Sequence, residues 1–508
     1  MEINKIQTLD EIARTAERLR QAGSRVVLCH GTFDLLHPGH MRHLMQASRQ
    51  GDALLVTLTA DRYVSKGPGR PAFPQQLRAE SMAALACVDY VAIISHGTGI
   101  PAIEAIRPDV YVKGSDYKQS DQDITGNILR EKNAVESFGG HIHFTDEITF
   151  SSSRLLNQHF DMLSPGVKAY LQTFKRRYGI DAVIKQIQDL AGLKVLVVGE
   201  AIIDEYCTVC PMGVTGKNID VLSSRYESME TFAGGSLAVA NHLSGYVAEV
   251  TLLTGLGRND PHEPFIRSKL AENVRPSFFY YEKAQTLVKR RFVDEDLSKL
   301  FEVYYYDPAP LTPKLDADLC QWIAAHSDQY DAVIVPDYGN GFISDSMVAA
   351  LCQHARFLAV NTQINSGNRG YHVITRYERA DYISLNGPEI RLAAHNRHDP
   401  LEDLALGIGR QLQANTFSVT LGAEGAMMLD VKGGIALESP ALLTNVVDRI
   451  GAGDSYFALS TLCLAQGGER ELALFLGSAA AALDVRIVCN RESIDPVSLL
   501  KFATTLLK

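Results

Sequence analysis

Short apolar runs alternate with stretches of helical spacing along most of the chain. Near the start, Thr8 and Glu11 fit a capping box, and Leu9, Ile12, Ala16 and Leu19 recur at helical intervals. VVLC (26–29) and ALLVTL (53–58) suit buried parallel strands, with a helical pattern between them from about His40 to Arg49. YVAII (90–94), DVYVK (109–113) and HIHF (141–144) continue the series, each preceded by a helical stretch. This alternation predicts a Rossmann-like α/β domain over residues 1–160, with ligands beyond the C-terminal ends of its strands. Residues 161–191 predict a polar helical linker whose Lys175, Arg176 and Arg177 form a solvated face. KVLVVGE (194–200) opens a larger α/β domain over 192–508, with further strands at 249–255, 332–337, 357–361, 382–386 and 417–422. Two segments, 206–218 and 286–307, break the rhythm with β-branched, aromatic and turn residues, which predicts a small β-sheet lid.

The composition changes this picture in few places. At 508 residues the length alone suggests about three domains, whereas the pattern gives two α/β units and treats the lid as part of the second. With 49 basic and 59 acidic residues the net charge is −10, which argues against a nucleic-acid partner but leaves small anionic substrates open. No run approaches ~18–20 apolar residues and the first residues lack a signal pattern, so no membrane association is expected and the predicted compartment is the cytoplasm. Eight cysteines are scattered, and Cys207 and Cys210 fall in a strand where that spacing points them to opposite faces, against a redox or zinc pair.

The first chemical cluster is HGTFDLLHPGH (30–40), which ends a strand and opens a helix. His37 and His40 can share one helix face, and Gly39 lets a ligand approach the backbone, which makes a receptor for a triphosphate. Three segments add to it. A Pro-rich loop carries Arg70 and leads to Arg78; a strand end carries Lys113, Gly114 and Asp116; and Ser151, Ser152 and Ser153 precede a helix as caps or as a phosphate cradle. Together these segments resemble the HxGH nucleotidyltransferases, most closely the adenylyltransferase half of bifunctional heptose-phosphate kinase/adenylyltransferases. Glycerol-phosphate cytidylyltransferase is similar in the opening motif.

The resemblance implies attack by a substrate phosphate on the α-phosphorus of a nucleoside triphosphate, with release of pyrophosphate. It assigns His37 and His40 to the triphosphate and the transition state, and Thr32 and Phe33 to nucleotide binding. Lys66, Arg70, Ser151, Ser152 and Ser153 would add anion contacts, while Lys113 and Asp116 would line the pocket. The heptose enzymes usually open with Asn-Gly-Cys-Phe-Asp. His30 to Asp34 reads HGTFD, closer to cytidylyltransferases, so both ATP and CTP stay open for this half.

The second cluster is DRIGAGDSYFA (448–458). Backbone N–H groups of Gly451, Ala452 and Gly453 can form an anion hole, and Asp454 beside it can take a proton from an attacking hydroxyl. Gly234 and Gly235 let a polar ligand lie on the backbone, and Asn241 can bond a sugar hydroxyl. Asn386 and Glu389 follow a strand and can organise Mg²⁺ indirectly, through its waters; Thr420, Gly422 and Gly425 form a strand-end turn suited to a nucleotide phosphate. These segments resemble the ribokinase-like sugar kinases over roughly 192–508, nearest the heptose-phosphate branch. The resemblance implies transfer of the ATP γ-phosphoryl to a sugar hydroxyl with Mg²⁺. Asp204 would bind sugar hydroxyls and Asp454 would be the general base. Lys289 and Arg291 alternate onto one strand face, where they can meet a sugar phosphate or solvent. Two segments depart from the pattern: VNTQINSGN (360–368) stands where an Asp-Pro-Lys-like stretch is usual, and 485–495 lacks the usual Gly-rich end.

The expectation is a bifunctional enzyme of nucleotide-sugar synthesis, with the transferase ahead of the kinase, the reverse of the heptose fusion enzymes. Its partners would be a sugar phosphate, nucleoside triphosphates and, by resemblance, a second copy of the chain. Two alternatives remain: a cytidylyltransferase for a polyol or sugar phosphate with an attached kinase, or a chain in which one half is a silent binding module.

Overall fold

The computed structural model describes residues 5–64, 70–114, 127–145, 163–215, 218–260, 262–307, 311–368, 370–443 and 446–507. Two compact units emerge: Met1–Pro165 with Leu500–Lys508, and Gly166–Leu499. Lys66, Asp116, Ser151, Ser152 and Ser153 lie outside the described residues.

The first unit is built on β1 (Ile6–Gln7), β2 (Val26–Gly31), β3 (Ala53–Thr59), β4 (Tyr90–Ile94), β5 (Val110–Lys113) and β6 (His141–Phe144). They form one sheet in the order β1-β4-β3-β2-β5-β6, and every pairing is parallel. Alternate residues of β2 serve the two faces. Val27 and Cys29 pack with Leu44 and Ala47 of α2 (Pro38–Ser48) and Ala79 and Met82 of α3 (Gln75–Ala83). Val26 and Leu28 pack with Ile12 and Ala16 of α1 (Leu9–Gln21) and Ala102 and Ile103 of α4 (Ile100–Ile106). Burial on both faces is why this strand reads as an unbroken apolar run. The capping box at the start of α1 forms, with Glu11 accepting from Thr8 N–H at 2.8 Å. Strand order reverses between β2 and β5, so the C-terminal end of β2 is the topological switch point where ligands gather.

The second unit has a nine-stranded main sheet. Its strands are β7 (Lys194–Val198), β10 (Glu249–Gly257), β11 (Val274–Tyr281), β14 (Ala332–Asp337), β15 (Leu358–Thr362), β16 (Tyr382–Asn386), β17 (Thr416–Thr420), β18 (Ala426–Asp430) and β19 (Ile435–Ser439). They run β11-β10-β7-β14-β15-β16-β17-β18-β19, parallel as far as β17 and antiparallel at the last two pairings. The lid is a separate four-stranded sheet, β13-β12-β8-β9, made of β8 (Ala201–Thr215), β9 (Asn218–Gly235), β12 (Leu287–Val293) and β13 (Lys299–Tyr305). The segment expected as a helical linker, 161–191, forms the helices Pro165–Arg177 and Ile180–Asp189, and from Gly166 on it falls within this unit. In the helix Pro165–Arg177, Phe174 stacks on Phe475 at 4.4 Å, and Tyr178, just after it, donates to Glu469 at 2.8 Å. Their apolar stripe needs a surface to cover, and the helix Arg470–Asp484 supplies it. Among the described residues, no helix is long and apolar enough to cross a membrane.

Candidate active sites

In the first unit, β2 ends at Gly31 and the chain turns through Phe33, whose φ of 46° is left-handed. His37 is the N-cap of α2, its Nδ1 accepting from Gly39 N–H at 3.1 Å, and Pro38 occupies the first turn. His40 Nδ1 donates to the Leu35 carbonyl at 3.1 Å. The two imidazoles stack at 4.0 Å, and Phe33 meets His40 edge-on at 5.2 Å. The two imidazoles thus sit together at the first turn of α2, the kind of helix start at which anions bind.

Other residues of this cluster are committed to the protein itself. Arg70, expected as an anion contact, is 4% exposed and paired with Asp34 at 3.2 Å. Asp34 also accepts from Ala72 N–H at 2.6 Å, so the pair fastens the Pro-rich loop to the opening motif. Arg78 is fully buried and donates to the carbonyls of Thr32 at 2.5 Å and Thr59 at 2.9 Å, which places Thr32 by its backbone. Lys113, at the end of β5, is ion-paired with Glu131 at 2.9 Å. His30, the residue that departs from the heptose enzymes, shares a hydrogen bond with Thr57 Oγ1 at 3.1 Å. Burial pushes its pKa down to about 3, so the ring is neutral.

In the second unit, a cavity of about 980 Å³ brings together most of the second cluster. Asp204, Gly235, Lys289 and Arg291 line it, as do Asn386, Thr420, Gly422, Gly425, Gly451, Ala452, Gly453 and Asp454. Gly451 caps the helix Ala452–Ala465 with a φ of 98°, and a Cβ there would lie 2.7 Å from Asp484 Oδ2 and 2.9 Å from Asn490 Oδ1. Gly453, one residue into the helix, has open space where its Cβ would be. Asp454 keeps part of its surface open to the cavity, yet the protein around it pushes its pKa up to about 7, burial being the largest cause and Asp204 adding to it. Among the described residues its hydrogen-bond donor is the Tyr338 hydroxyl, 2.9 Å from Oδ1.

On the lid side, Asp204 is ion-paired with Arg291, which also donates to Glu302 at 3.1 Å. Lys289 is 4% exposed, and its Nζ lies 5.3 Å and 5.9 Å from the rings of Tyr304 and Tyr338. Among the described residues no carboxylate is within ion-pair distance of it, and burial lowers its pKa.

Four expected site residues have structural work. Gly234 does not line the cavity; it leaves room for the Asp204 carboxylate, which a Cβ would strike. Asn241 is away from it, spending its amide on the Lys269 carbonyl at 2.9 Å and its oxygen on Ala271 N–H at 3.0 Å. Asn386 and Glu389 form a capping box: Glu389 Oε2 accepts from Asn386 N–H at 2.9 Å while Asn386 Oδ1 accepts from Glu389 N–H at 2.9 Å. Asn386 reaches the cavity; Glu389 sits behind it, and burial pushes its pKa up to about 7. Among the described residues no group of three or more His, Cys, Asp or Glu is placed to hold a metal ion.

Sequence reasoning missed several residues here. Gln363 to Ser366, from the segment that departs from the kinase pattern, line the cavity. Asp484 lies under Gly451, fully buried, with neither oxygen hydrogen-bonded among the described residues and its pKa pushed well up by burial. His242 Nε2 is 3.8 Å from it. A lone Asp at the end of an alanine-rich helix gives no signal of such a place.

Known proteins resemble both units. A family model described as Cytidylyltransferase-like matches residues 28–158, so the transferase-like domain precedes the kinase-like one. A protein named "Bifunctional protein HldE" from Methylobacillus flagellatus is 42% identical over 147 residues, which is 28% of this chain and 29% of that protein. Its namesake from Syntrophotalea carbinolica is 36% identical over 166 residues, 32% of each. The chain thus spans about a third of the length of the curated relatives it matches, at 29–32%. Phosphofructokinase-2 from Escherichia coli, solved with potassium, has the same fold as the second unit: the TM-score is 0.51 at 17% identity, over 62% of this chain and 100% of that one. The model described as "pfkB family carbohydrate kinase" matches residues 193–491, more than half of the sequence, and the chain belongs to that family.

Proposed function

We propose that the chain is a bifunctional enzyme of nucleotide-sugar synthesis: its second unit phosphorylates a sugar, a heptose phosphate by resemblance, and its first unit transfers a nucleotidyl group to a sugar 1-phosphate. The observation that carries the kinase half is the convergence in one cavity of an anion hole, a carboxylate and a lid-borne sugar contact, at Gly451 to Gly453, Asp454 and Asp204. A sugar hydroxyl attacks the γ-phosphorus of ATP, its proton passes to Asp454, and the bond from the γ-phosphorus to the bridging oxygen breaks to release ADP. Backbone N–H groups at the helix start stabilise charge on the transferring phosphoryl. Mg²⁺ fits as an ion carried mainly by the nucleotide phosphates, since it needs few protein ligands; Asn386 and, behind it, Glu389 are the residues toward it. Lys289 supports an anionic substrate, because a buried ammonium without a carboxylate gains from a phosphate.

In the first unit, the stacked His37 and His40 at the start of α2 support binding of a nucleoside triphosphate. A phosphate oxygen of the sugar 1-phosphate attacks the α-phosphorus, and pyrophosphate leaves. CTP is the second reading for this half. It is favoured by the Gly-Thr-Phe-Asp motif behind a neutral His30 and by the cytidylyltransferase-like match. The exposed lid residues Met212, Val214, Leu222, Tyr226 and Met229 support a homodimer through the lid, and the cytoplasm is the proposed compartment.

Mass spectrometry of products from a library of sugar phosphates, each with ATP, CTP, GTP or UTP, tests the reading. A phosphorylated sugar with ADP, and a nucleotide sugar with pyrophosphate, are the expected products. Turnover with CTP alone in the second reaction would remove the adenylyl version, and no ADP from any sugar would remove the kinase half.

A further inference from the structure

The side chain that touches Asp454 belongs to a residue fixed from several directions. Tyr338 follows β14, is 3% exposed, and its hydroxyl donates to Asp454 Oδ1 at 2.9 Å. Its own N–H donates to Glu200 Oε2 at 3.2 Å, while Asn340 N–H donates to Glu200 Oε1 at 2.9 Å. Its carbonyl accepts from Asn365 Nδ2 at 2.7 Å and Asn368 Nδ2 at 3.1 Å. Gly339, with φ of 65°, makes the turn that lets these groups converge; a Cβ there would come within 2.6 Å of the His372 ring. Asn365 and Asn368 lie in the stretch that departs from the kinase pattern, so that stretch has a use: it clamps the tyrosine. A donor held this firmly is organised before substrate arrives, which is what a catalytic carboxylate needs from its neighbours.

We propose that Tyr338 is a positioning residue of the kinase reaction: its hydroxyl holds Asp454 by Oδ1, leaves Oδ2 for the proton of the sugar hydroxyl, and keeps the carboxylate ionised. The proposal rests on the reading of Asp454 as general base. The groups around Asp454 pull in both directions. Burial and Asp204 on β8 favour the protonated acid, while Tyr338 and Lys289 on β12 favour the anion. Glu389, at its helix start, and Asp484, at the end of the helix Arg470–Asp484, are further carboxyls that feel Asp454. Tyr338 is the member of this set that makes a hydrogen bond to it, so removing one oxygen atom tests the idea.

In Tyr338→Phe the ring stays and the donor goes. With ATP and a panel of pentose, hexose and heptose monophosphates, the acid limb of kcat for the best substrate should move up by about one pH unit, since one hydrogen bond to a charged group is lost. The plateau kcat should fall about tenfold, and KM for ATP should stay within about twofold, because uniform binding is untouched. Placing 3-fluorotyrosine at position 338, a stronger donor of the same shape, should move the limb to lower pH. A lower kcat with an unmoved limb would mark a merely structural tyrosine and overturn the proposal. A substrate-free measurement separates this from the sugar reading: infrared difference spectra against Asp454→Asn follow the protonated carboxyl of Asp454 through pH. An upward midpoint shift in Tyr338→Phe supports the proposal even if no sugar on the panel is phosphorylated, in which case the sugar reading alone fails. An unchanged midpoint overturns it. If Tyr338→Phe does not fold, the fluorotyrosine protein decides by the direction of its shift.

Discussion

Two glycines two residues apart should fail in opposite ways when each is replaced by alanine. Gly451 has φ of 98°, where an L-residue pays about 1–2 kcal/mol. Its new Cβ would also lie 2.7 Å from Asp484 Oδ2 and 2.9 Å from Asn490 Oδ1, an overpacking that costs about 1–3 kcal/mol more. Gly451→Ala should therefore lose roughly 2–5 kcal/mol, or about 5–15 °C in the melting of the second unit. Gly453 is in the helix Ala452–Ala465, carries no left-handed φ, and its Cβ would enter open space. Alanine there adds helix propensity, up to about 1 kcal/mol, so Gly453→Ala should melt at the same temperature or slightly higher. The added methyl stands on the cavity wall, where it keeps a phosphoryl group from the backbone N–H donors. Losing one such donor costs about 100- to 1,000-fold in kcat, and a similar drop in sugar-dependent ADP release is expected. Calorimetry and coupled ADP assays on both variants settle it. If Gly453→Ala melts as low as Gly451→Ala, or keeps its kinase activity, the anion-hole geometry is wrong.

Asp454 makes a second pair of opposite signs. Its pKa rises from 3.8 to about 7 in the folded protein, so the folded state holds the proton more tightly. Stability then falls as pH rises from about 4 to about 7 and stays reduced above that; Asp454→Asn should raise the melting temperature at pH 8 by several degrees while abolishing sugar-dependent ADP release. In the first unit, His37→Ala should lower pyrophosphate release about 100-fold or more while ADP release from the kinase is retained, measured on the same preparation. Lys289→Met should cost little with a neutral sugar but at least about tenfold in kcat/KM with its phosphate, so the ratio of the two substrates collapses.

Much of the architecture was legible because burial imposes a pattern. β4, β14 and β16 fall on the residues their apolar runs predict, since strands covered on both faces must be apolar throughout. β11 has no such run: it carries Pro276 and lies at the edge of the main sheet, where a missing N–H is tolerated. β9 pairs with β8 along its length but bears Glu227, Glu230 and other polar exposed side chains, so neither apolar continuity nor clean alternation announces it. At the sites, glycine turns were legible because a turn beside a helix start has few sequence solutions. The partners of charged residues were not. Arg70 looked available for a phosphate because nothing local shows that Asp34, 36 residues earlier, takes its charge. The contact of Tyr338 with Asp454 was hidden for the same reason, the two lying 116 residues apart.

On the proposed reading, the charge balance inside the second unit's cavity favours a phosphorylated sugar over a neutral one. Asp204 and Arg291 neutralise each other, and Glu302 adds a second acceptor to Arg291, so the pair is closed within the protein. Lys289 and Asp454 are not closed in this way. The ammonium has aromatic rings beside it and the carboxylate has a phenol, and burial works against the charged form of each. Placing a charge in such surroundings is costly until a partner arrives. A sugar with a phosphate at one end and a hydroxyl at the other supplies both partners at once, an anion for Lys289 and a proton donor for Asp454. A neutral sugar satisfies Asp454 alone and leaves the lysine buried without its counter-charge. On the proposed reading, discrimination would come from where Lys289 and Asp454 sit more than from any surplus of positive charge, so a net charge of −10 is compatible with an anionic substrate.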